Sequence, residues 1–353
     1  MSTQSLKILV VGPSWVGDMV MAQTLFIHLA GQHPGCVIDV LAPAWSRPLL
    51  ERMPQVRRAI DLPLGHGALQ LSVRRQLGLT LRVEGYDWAI TLPNSFKSAL
   101  VAAWARIPRR TGWRGEMRYG LLNDLRVLDK QRYPLMIERF IALGQDAGAA
   151  LPSPLPAPRL EIDPGSRAQA VESLGLNRER PVLVLCPGAE FGEAKRWPEA
   201  AYAQVAKARL EQGWQVWILG SDKDREGAER IRQALPDSLQ SCCENLAGRT
   251  VLAQAVDLIS LANAVVSNDS GLMHIAAALH RPLVVVYGST SPAFTPPLNP
   301  NHAVVSLGLE CSPCFKRDCP LGHTNCLKQL PSSRVLEALD RLLPEAAAIE
   351  VKS

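Results

Sequence analysis

The sequence has no apolar run that approaches the roughly 18 residues needed for a transmembrane helix. It shows no secretory signal peptide either, because only residues 8–11 are apolar between Lys7 and the break at Gly12. Its 8 cysteines among 353 residues are too sparse for a secreted disulfide scaffold. We therefore expect a protein that works in the cytoplasm and does not span a membrane.

Two common phosphate-binding signatures are also missing. The turn over residues 12–17 follows an apolar strand, but it lacks the Gly-x-Gly spacing of the dinucleotide fingerprint. No Gly-Lys-Ser/Thr follows it, so it is not a P-loop. The chain carries no recognisable nucleic-acid-binding motif. The sequence therefore does not predict a dinucleotide-dependent enzyme, a P-loop nucleotidase or a nucleic-acid partner.

Positive charge is concentrated in the first half of the chain. Residues 1–150 hold 18 Lys/Arg against 11 Asp/Glu, a charge of +7, whereas the remainder holds 20 against 22, a charge of −2. Residues 97–118 include six basic side chains and one acid, Glu116. Arginine clusters suit carboxylate and phosphate recognition. We expect this half to meet an anionic small or lipid-linked partner, although an ordinary solvated basic face would give the same pattern.

What the sequence does contain is a repeated alternation of apolar strands and helices. The hydrophobic content of 47% is typical of a globular protein, and the length suffices for two α/β domains. Apolar, often β-branched runs that end at a glycine or a polar turn predict buried parallel strands. These runs lie at residues 7–12, 37–41, 59–62, 86–92, 109–113, 181–186, 214–219, 264–267 and 283–287. The pattern predicts two doubly wound parallel sheets.

A proline-rich segment separates the two predicted domains. Residues 151–168 contain five prolines and little periodicity, which is typical of a stiff linker. We expect a domain over residues 1–150, a linker over 151–175, a second domain over 176–330 and a terminal helix over 331–353. Two such domains would face each other across a cleft, with the terminal helix packing back toward it, because open parallel sheets bind ligands at the carboxyl ends of their strands.

The stretch over residues 265–279 is the most informative part of the second half. A strand ends in Ser267-Asn268-Asp269-Ser270-Gly271, and a helix follows that carries His274 near its start. Helix N-termini present unpaired N–H groups and partial positive charge, so this turn suits a phosphate or diphosphate. An ordinary capped helix would show the same residues.

Two further charged positions follow predicted strands. Lys195 and Arg196 lie between a strand and a helix, where a cation could neutralise a leaving diphosphate. Asp18 lies at the start of the first helix, at the mouth of the first sheet. A solvated Lys-Arg pair and a helix-capping aspartate are the corresponding structural alternatives. We interpret Asp222-Lys223-Asp224 as the start of a helix rather than as a metal-binding motif.

Four cysteines lie within 16 residues near the end of the second half. The spacing Cys311-x2-Cys314-x4-Cys319-x6-Cys326 could hold a tetrahedral zinc ion, with His323 as a fifth candidate ligand. Such a site would be structural, because four thiolates leave no open coordination position. Reduced thiols or a labile disulfide are the alternatives, and iron–sulfur ligation is less supported by the spacing.

Taken together, these motifs resemble the ADP-heptose:lipopolysaccharide heptosyltransferases over nearly the entire chain. The resemblance is carried by residues 12–18, 93–98, 109–119, 187–198 and 268–274. The Arg-Thr-Gly-Trp-Arg-Gly-Glu-Met-Arg-Tyr run favours the enzymes that add the second heptose over those that add the first or third. The four-cysteine loop departs from some members of the family.

The resemblance implies a GT-B fold and an inverting, metal-independent transfer without a catalytic cofactor. ADP-heptose would be the donor, and the acceptor would be Kdo2–lipid A bearing one heptose, reached by transient contact with the inner membrane. It assigns Asp18 as the base and Lys195 as the main cation on the diphosphate. It implies that the donor site also includes Gly188, Glu190, Ser221, Thr250, Asp269, Ser270, Gly271 and His274. The acceptor would meet Lys97, Arg110, Arg114 and Arg118.

Alternatives from other classes remain at this point. The first or third heptosyltransferase would share most of these motifs. A sugar-nucleotide epimerase on the same two-domain fold would need no lipid acceptor. A non-catalytic, zinc-bearing interaction protein would use the cysteine loop and would not depend on Asp18 or Lys195.

Overall fold

The computed structural model describes residues 5–65 and 67–343. The chain divides into two compact units, Met1–Glu161 with Ala293–Thr295, and Ile162–Pro292 with Pro296–Ser353. The division falls inside the segment expected to be a linker, although part of that segment forms the helix Pro164–Ser173. Asp163 begins this helix, since its Oδ1 accepts hydrogen bonds from the backbone N–H groups of Gly165 and Ser166. No helix in the described residues is long and apolar enough to cross a bilayer.

The first unit is built on a six-stranded, wholly parallel sheet in the order β3-β2-β1-β4-β5-β6. Its two central strands are buried on both faces, which is why they read as continuous apolar runs in the sequence. The strands are β1 Lys7–Val11, β2 Val37–Ala42, β3 Val56–Asp61, β4 Trp88–Thr91, β5 Arg109–Trp113 and β6 Asp124–Arg126.

Helices cover the first sheet. The longest, α1, begins directly after the turn that follows β1 and buries ten of its 17 residues. Gly78 allows α3 and α4 to pack closely, because a Cβ at this position would lie 2.6 Å from the Cβ of Trp104. The helices are α1 Val16–Gln32, α2 Arg47–Leu50, α3 Leu71–Arg82, α4 Leu100–Trp104 and α5 Met136–Ile141.

The second unit repeats this architecture. Its parallel sheet has the order β12-β11-β10-β7-β8-β9. The strands are β7 Val182–Cys186, β8 Gln215–Ile218, β9 Cys243–Asn245, β10 Ala264–Asn268, β11 Leu283–Val286 and β12 His302–Val305. The helices are α6 Pro164–Ser173, α7 Glu199–Glu211, α8 Arg225–Gln233, α9 Asp237–Gln240, α10 Leu252–Ile259, α11 Gly271–Ala278, α12 Asn325–Lys328 and α13 Ser332–Leu342.

The predicted fold class is confirmed, with three strands added. β6, β9 and β12 lie at sheet edges. β6 and β9 have three residues each and no apolar run, and the apolar run of β12 is only three residues long, from Ala303 to Val305. The terminal helix α13 packs on α7, β11 and β12 of its own unit. The part of the predicted terminal helix beyond residue 343 lies outside the described residues.

Each sheet has one point at which the strand order reverses. In the first unit this point lies between β1 and β4, and in the second between β7 and β10. Loops that leave neighbouring strands in opposite directions open a crevice at the carboxyl ends of the strands, where doubly wound folds bind ligands. The segments that follow these four strands hold Asp18, Lys97, Lys195 and Asp269.

Candidate active site

The central feature of the second unit is an ion pair between the loops that follow β7 and β10. The Nζ atom of Lys195 lies 2.7 Å from Oδ2 of Asp269, and the same oxygen accepts a 2.6 Å hydrogen bond from Oγ1 of Thr290. Only 15% of the Lys195 side chain and 5% of the Asp269 side chain are exposed. A charge pair this sheltered from water is weakly screened and holds the ammonium group in a fixed place.

The backbone around this pair is fixed by Asn268, the last residue of β10. Its side-chain Nδ2 donates to the carbonyl of Pro187 at 2.6 Å, and its Oδ1 accepts from Trp197 N at 3.2 Å and from the Tyr202 hydroxyl at 3.0 Å. The buried amide of Asn268 therefore connects the end of β10 to both ends of the loop after β7. This explains why the apolar strand β10 ends in Asn, since these contacts require a donor and an acceptor in one side chain.

The helix α11 starts beside the ion pair. Ser270 is its N-cap, in an extended conformation, and its Oγ lies 3.2 Å from Oγ of Ser267 rather than capping the helix. The Ser270 side chain therefore does not cap the first turn, which leaves backbone N–H groups of that turn, among the described residues, for another acceptor. An anion is the partner that such a helix start favours.

His274 lies beneath this turn and not on its surface. It is 5% exposed, and burial lowers its pKa to about 4, with Lys195 adding to the effect and Asp269 opposing it. The imidazole is therefore neutral near pH 7. This differs from the expectation that His274 reaches a bound anion, because a buried neutral ring offers no positive charge to the ligand.

The loops after β7 and β8 meet at Asp224. Its Oδ2 accepts from the backbone N and the Oγ of Ser221, and its Oδ1 binds Arg196 at 3.0 Å. Gly188 packs directly on this carboxylate, and a Cβ there would lie 2.5 Å from Oδ2. Asp222–Asp224 form a single helical turn that leads into α8, so the interpretation of this motif as a helix start is confirmed.

The remaining expected donor-site residues lie at the same sheet edge. Glu190 is exposed and pairs with Lys223 at 3.1 Å in the loops after β7 and β8. Thr250 is half-buried in the connection between β9 and α10. Like Ser221, they follow carboxyl ends of parallel strands in one sheet, so all expected donor residues of this unit border the same edge.

In the first unit, Asp18 occupies the third position of α1. It is half-buried, and it follows the turn that leaves β1 at the point where the strand order reverses. The N-terminus of a 17-residue helix favours the charged carboxylate. A carboxylate at this position is suited to accepting a proton.

Arg118 is placed differently from the expectation that it meets the acceptor. It has no exposed surface, and burial lowers its pKa. Its guanidinium donates to the carbonyls of Pro93, at 2.7 Å, and of Trp113. It also approaches Oδ1 of Asn94 at 3.4 Å. A side chain enclosed in this way holds the loop after β4 against the loop after β5 and presents no charge to solvent.

The same two loops carry the exposed basic residues. Glu116 accepts a 2.6 Å hydrogen bond from the backbone N of Phe96. Arg114 is exposed and Lys97 half-buried. The guanidinium of Arg110 is hydrogen-bonded within the fold, since its Nε donates to Leu121 O at 2.7 Å and its Nη1 to Ile107 O at 2.6 Å. Lys97 and Arg114 are therefore the expected acceptor residues that keep charge available at the surface.

All four cysteines of the predicted metal loop line one small cavity, and all are free thiols. Backbone N–H groups, that of Thr324 first, lower the pKa of the Cys319 thiol, whereas burial raises that of Cys326. Within residues 5–65 and 67–343, no group of three or more His, Cys, Asp or Glu side chains is already arranged to hold a metal ion.

Two residues of this hydrogen-bonded arrangement, Asn268 and Thr290, were not predicted from the sequence. Asn268 was visible in the Ser-Asn-Asp-Ser-Gly turn but received no role, although an amide at the end of a buried strand is a signal for backbone hydrogen bonding. Thr290 lies in Gly288-Ser289-Thr290-Ser291, a polar cluster directly after the apolar strand β11. Such clusters after buried strands mark the ligand-binding edge of an open sheet.

Comparison with known proteins agrees with the fold. A family model described as glycosyltransferase family 9 (heptosyltransferase) matches residues 74–325. Lipopolysaccharide heptosyltransferase 2 of Escherichia coli K12 is 53% identical over 348 residues, which cover 97% of this chain and 100% of that protein. The structure of E. coli ADP-heptose LPS heptosyltransferase II superposes with a TM-score of 0.86 at 51% identity, over 96% of this chain and 98% of the other.

Similarity to the first heptosyltransferase is much lower. Lipopolysaccharide heptosyltransferase 1 of Pseudomonas aeruginosa is 26% identical over 99% of this chain and 98% of its own length. This difference favours the second enzyme over the first, as the sequence motifs predicted. The epimerase and the non-catalytic interpretations are set aside, since these relatives are transferases. With this identity over nearly its whole length, the chain belongs to glycosyltransferase family 9, the heptosyltransferases.

Proposed function

We propose that this protein moves a heptose from ADP-L-glycero-β-D-manno-heptose to the first heptose of the Kdo2–lipid A inner core. The observation that carries the proposal is the Lys195–Asp269 ion pair, placed beside the uncapped start of α11 where the strand order of the second sheet reverses. This is an anion site built on rigid elements. The 53% identity to a lipopolysaccharide heptosyltransferase 2 supports the choice of sugar and acceptor.

On the donor side, Lys195 neutralises the diphosphate. An ammonium group has three N–H donors, and those of Lys195 bind only Asp269 among the described residues, through Oδ2 and, at 3.4 Å, through its carbonyl. A third N–H is left for a phosphate oxygen. Ser270 and Gly271 add backbone N–H groups, and Asp269 orients the lysine. Gly188, Glu190, Ser221 and Thr250 are further donor-side candidates at the same sheet edge, with His274 as a buried support beneath it.

On the acceptor side, Asp18 is the base. It takes the proton from the acceptor hydroxyl while that oxygen attacks the anomeric carbon and the bond from carbon to the ADP oxygen breaks. Such in-line displacement inverts the configuration. The charge that develops on departing ADP is stabilised by Lys195 and the helix start, which are in place before the reaction. Lys97 and Arg114 meet the anionic acceptor, and Arg110 and Arg118 shape the loops that carry them.

Transfer on this scheme uses no cofactor and no catalytic metal, because Lys195 and the α11 N–H groups supply the charge that a divalent ion would otherwise supply. A zinc ion, if bound by Cys311, Cys314, Cys319 and Cys326, would be structural. The acceptor is anchored in a membrane, so the proposal places the enzyme in the cytoplasm with transient contact to the inner membrane.

The test measures heptose transfer from ADP-heptose, with ADP release as the readout. The acceptors are Kdo2–lipid A with and without one heptose, and each is assayed with and without EDTA. We expect transfer to the mono-heptosylated acceptor alone, and we expect Mg²⁺ added after EDTA to leave the rate unchanged. Transfer only to the heptose-free acceptor would assign the first heptose instead. If EDTA abolished transfer and added Mg²⁺ restored it, the transfer would depend on a metal ion, which would contradict the proposal.

A further inference from the structure

The loop over residues 311–326 gathers four thiols around one cavity of about 20 Å³. Cys311 is exposed, and the other three cysteines are half-buried. The fifth candidate ligand, His323, is already engaged, because its Nδ1 accepts a 3.0 Å hydrogen bond from the backbone N of Asn325 at the start of α12. The four thiols are therefore the free soft donors of this cavity.

Both halves of the loop are anchored to the same point at the end of β11. In the first half, Ser312 donates to the carbonyl of Gly288, and Phe315 N donates to Ser289 O at 2.7 Å. In the second half, Leu327, next to Cys326, is fully buried against Gly288, where a Cβ would lie 2.6 Å from its Cγ. Both cysteine pairs thus line one cavity, and both are held there by backbone that is anchored at Gly288 and Ser289.

The cavity wall also contains a buried hydroxyl group without a hydrogen-bond partner among the described residues. Ser289 lines it and is 1% exposed, and its Oγ has no hydrogen-bond partner among the described residues. A buried hydroxyl without a partner is uncommon in native proteins. The sulfur of Cys319 already accepts a backbone hydrogen bond, from Thr324 N at 3.5 Å, so this sulfur is held at the cavity wall.

We propose that Cys311, Cys314, Cys319 and Cys326 bind one Zn²⁺ ion in this cavity. Cys311 and Cys314 have the two-residue separation that is typical of structural zinc sites, and Cys319 and Cys326, with six residues between them, would complete a four-thiolate set. In the part of the chain that the structure describes, no three of these ligands yet converge on one point. Rotation about a Cα–Cβ bond between staggered positions moves a thiol sulfur by about 3 Å, and the proposed site requires such changes of rotamer when the ion binds.

The position of the loop gives the ion a role. The carbonyl of Arg317, between the two cysteine pairs, accepts a 3.0 Å hydrogen bond from Ala194 N, directly before Lys195. Gly192 packs so closely that a Cβ there would lie 2.4 Å from the Arg317 oxygen. The ring of Phe191 lies 5.5 Å from the Arg317 guanidinium and 5.0 Å from Lys195 Nζ.

The loop over residues 311–326 therefore contacts and supports the segment that carries Lys195. Closing the loop with Zn²⁺ fixes the Arg317 carbonyl, which fixes Ala194 and hence the lysine. The four cysteines act as positioning residues for the diphosphate cation. This second step rests on the proposed role of Lys195, whereas the metal site stands without it.

The metal site is tested without any activity measurement. Protein purified without chelator from zinc-supplemented cells is analysed for metal by mass spectrometry, and chelator-stripped protein is titrated with Co²⁺ while thiolate-to-cobalt absorption is recorded. We expect about one zinc per chain and a tetrahedral cobalt spectrum. Cys319→Ser and Cys326→Ser should lose both signals, and Cys242→Ser, outside the loop, should keep both.

Two results would overturn the site. One is full-length protein that contains no zinc and shows no cobalt absorption. The other is an intact mass that reveals disulfides among the four cysteines, with no metal retained after reduction. Neither result depends on whether the protein transfers heptose.

The positioning role is tested by ADP binding. Metal-free wild-type protein should bind ADP between about 2- and 30-fold more weakly than zinc-loaded protein, a range typical of coupling through packed contacts. Adding back Zn²⁺ should restore the affinity in wild type but not in Cys319→Ser. Equal ADP affinity with and without zinc would refute the positioning role while leaving the metal site intact.

Discussion

Lys195 and Asp269 form an ion pair although they are 74 positions apart in the sequence, with Nζ 2.7 Å from Oδ2. The pair joins the loops after β7 and β10, the two strands between which the strand order of the second sheet reverses. Thr290, after β11, donates to the same carboxylate oxygen at 2.6 Å. The segments that follow three neighbouring strands thus meet at this ion pair, which leaves the ammonium group of Lys195 little freedom.

Lys195→Ala should weaken donor binding and slow transfer together, because the lysine meets the same phosphates before and during the reaction. A charge-assisted hydrogen bond is worth about 1.5–3 kcal/mol, so we expect about a 10- to 100-fold loss in ADP affinity by calorimetry. Lys207→Ala on α7, half-exposed and paired with Glu211, is the matched control and should bind ADP normally. An unchanged ADP affinity in Lys195→Ala would place the diphosphate elsewhere.

Asp18→Asn should lower the turnover number by about 10²- to 10⁴-fold, the usual contribution of a general base. The amide keeps the shape of the carboxylate but cannot take the acceptor proton. ADP affinity should stay within about twofold of wild type, since all the residues proposed to hold the diphosphate belong to the second unit. Steady-state transfer and ADP binding are measured on the same preparations.

The control for this substitution is Asp146→Asn, a change of the same chemistry at a side chain that is 94% exposed. It should leave turnover unchanged. Full activity in Asp18→Asn would remove this residue from the mechanism.

Arg118 and Arg114 lie in one loop but should respond in opposite ways. Arg118→Ala leaves buried carbonyls of Pro93 and Trp113 without their donor and should lower the free energy of unfolding by about 2–4 kcal/mol. Arg114→Ala removes an exposed side chain and should change it by less than about 0.5 kcal/mol, while raising KM for the acceptor. Urea unfolding and acceptor kinetics of both variants separate the two roles.

If Arg118→Ala unfolded with the wild-type midpoint, the buried hydrogen bonds would not support the loop. If Arg114→Ala kept the wild-type KM, the acceptor would not meet the exposed part of this loop.

His274 should make the protein sensitive to acid. Its pKa of about 4 in the folded state lies below the ordinary value of 6.5, so the unfolded chain binds the proton more readily. The stabilisation is complete above about pH 6.5, and as the pH falls toward 4 it is lost, by on the order of 3 kcal/mol in total. Asp269 and Lys195 are the charged groups that act on this ring, in opposite directions.

Unfolding free energies of wild type and His274→Gln, measured between pH 4 and 7, test this dependence. The variant should lose less stability than wild type over this range, whereas His280→Gln, at an exposed position, should follow wild type. Parallel curves for wild type and His274→Gln would show that the buried imidazole does not control acid stability.

Much of the fold was determined by local sequence. The run Val182-Leu183-Val184-Leu185-Cys186 predicted a strand buried on both faces, because five continuous apolar residues between Pro181 and Pro187-Gly188 fit a short buried strand better than a helix. The polar turns after β1, β7 and β10 were equally visible, and they placed Asp18, Lys195 and Asp269 at strand ends. The edge strands β6 and β9 were not visible, since Asp-Leu-Arg and Cys-Glu-Asn carry no apolar pattern.

Only the tertiary structure decided which charged residues are exposed and which are buried within the fold. Arg118 and Arg114 look alike in the sequence, yet one is enclosed by carbonyls and the other is exposed. The pairing of Lys195 with Asp269 and Thr290 depends on the order of β7, β10 and β11 in the sheet. Strand order is set by long-range packing, which brings together residues whose local sequences carry no information about one another.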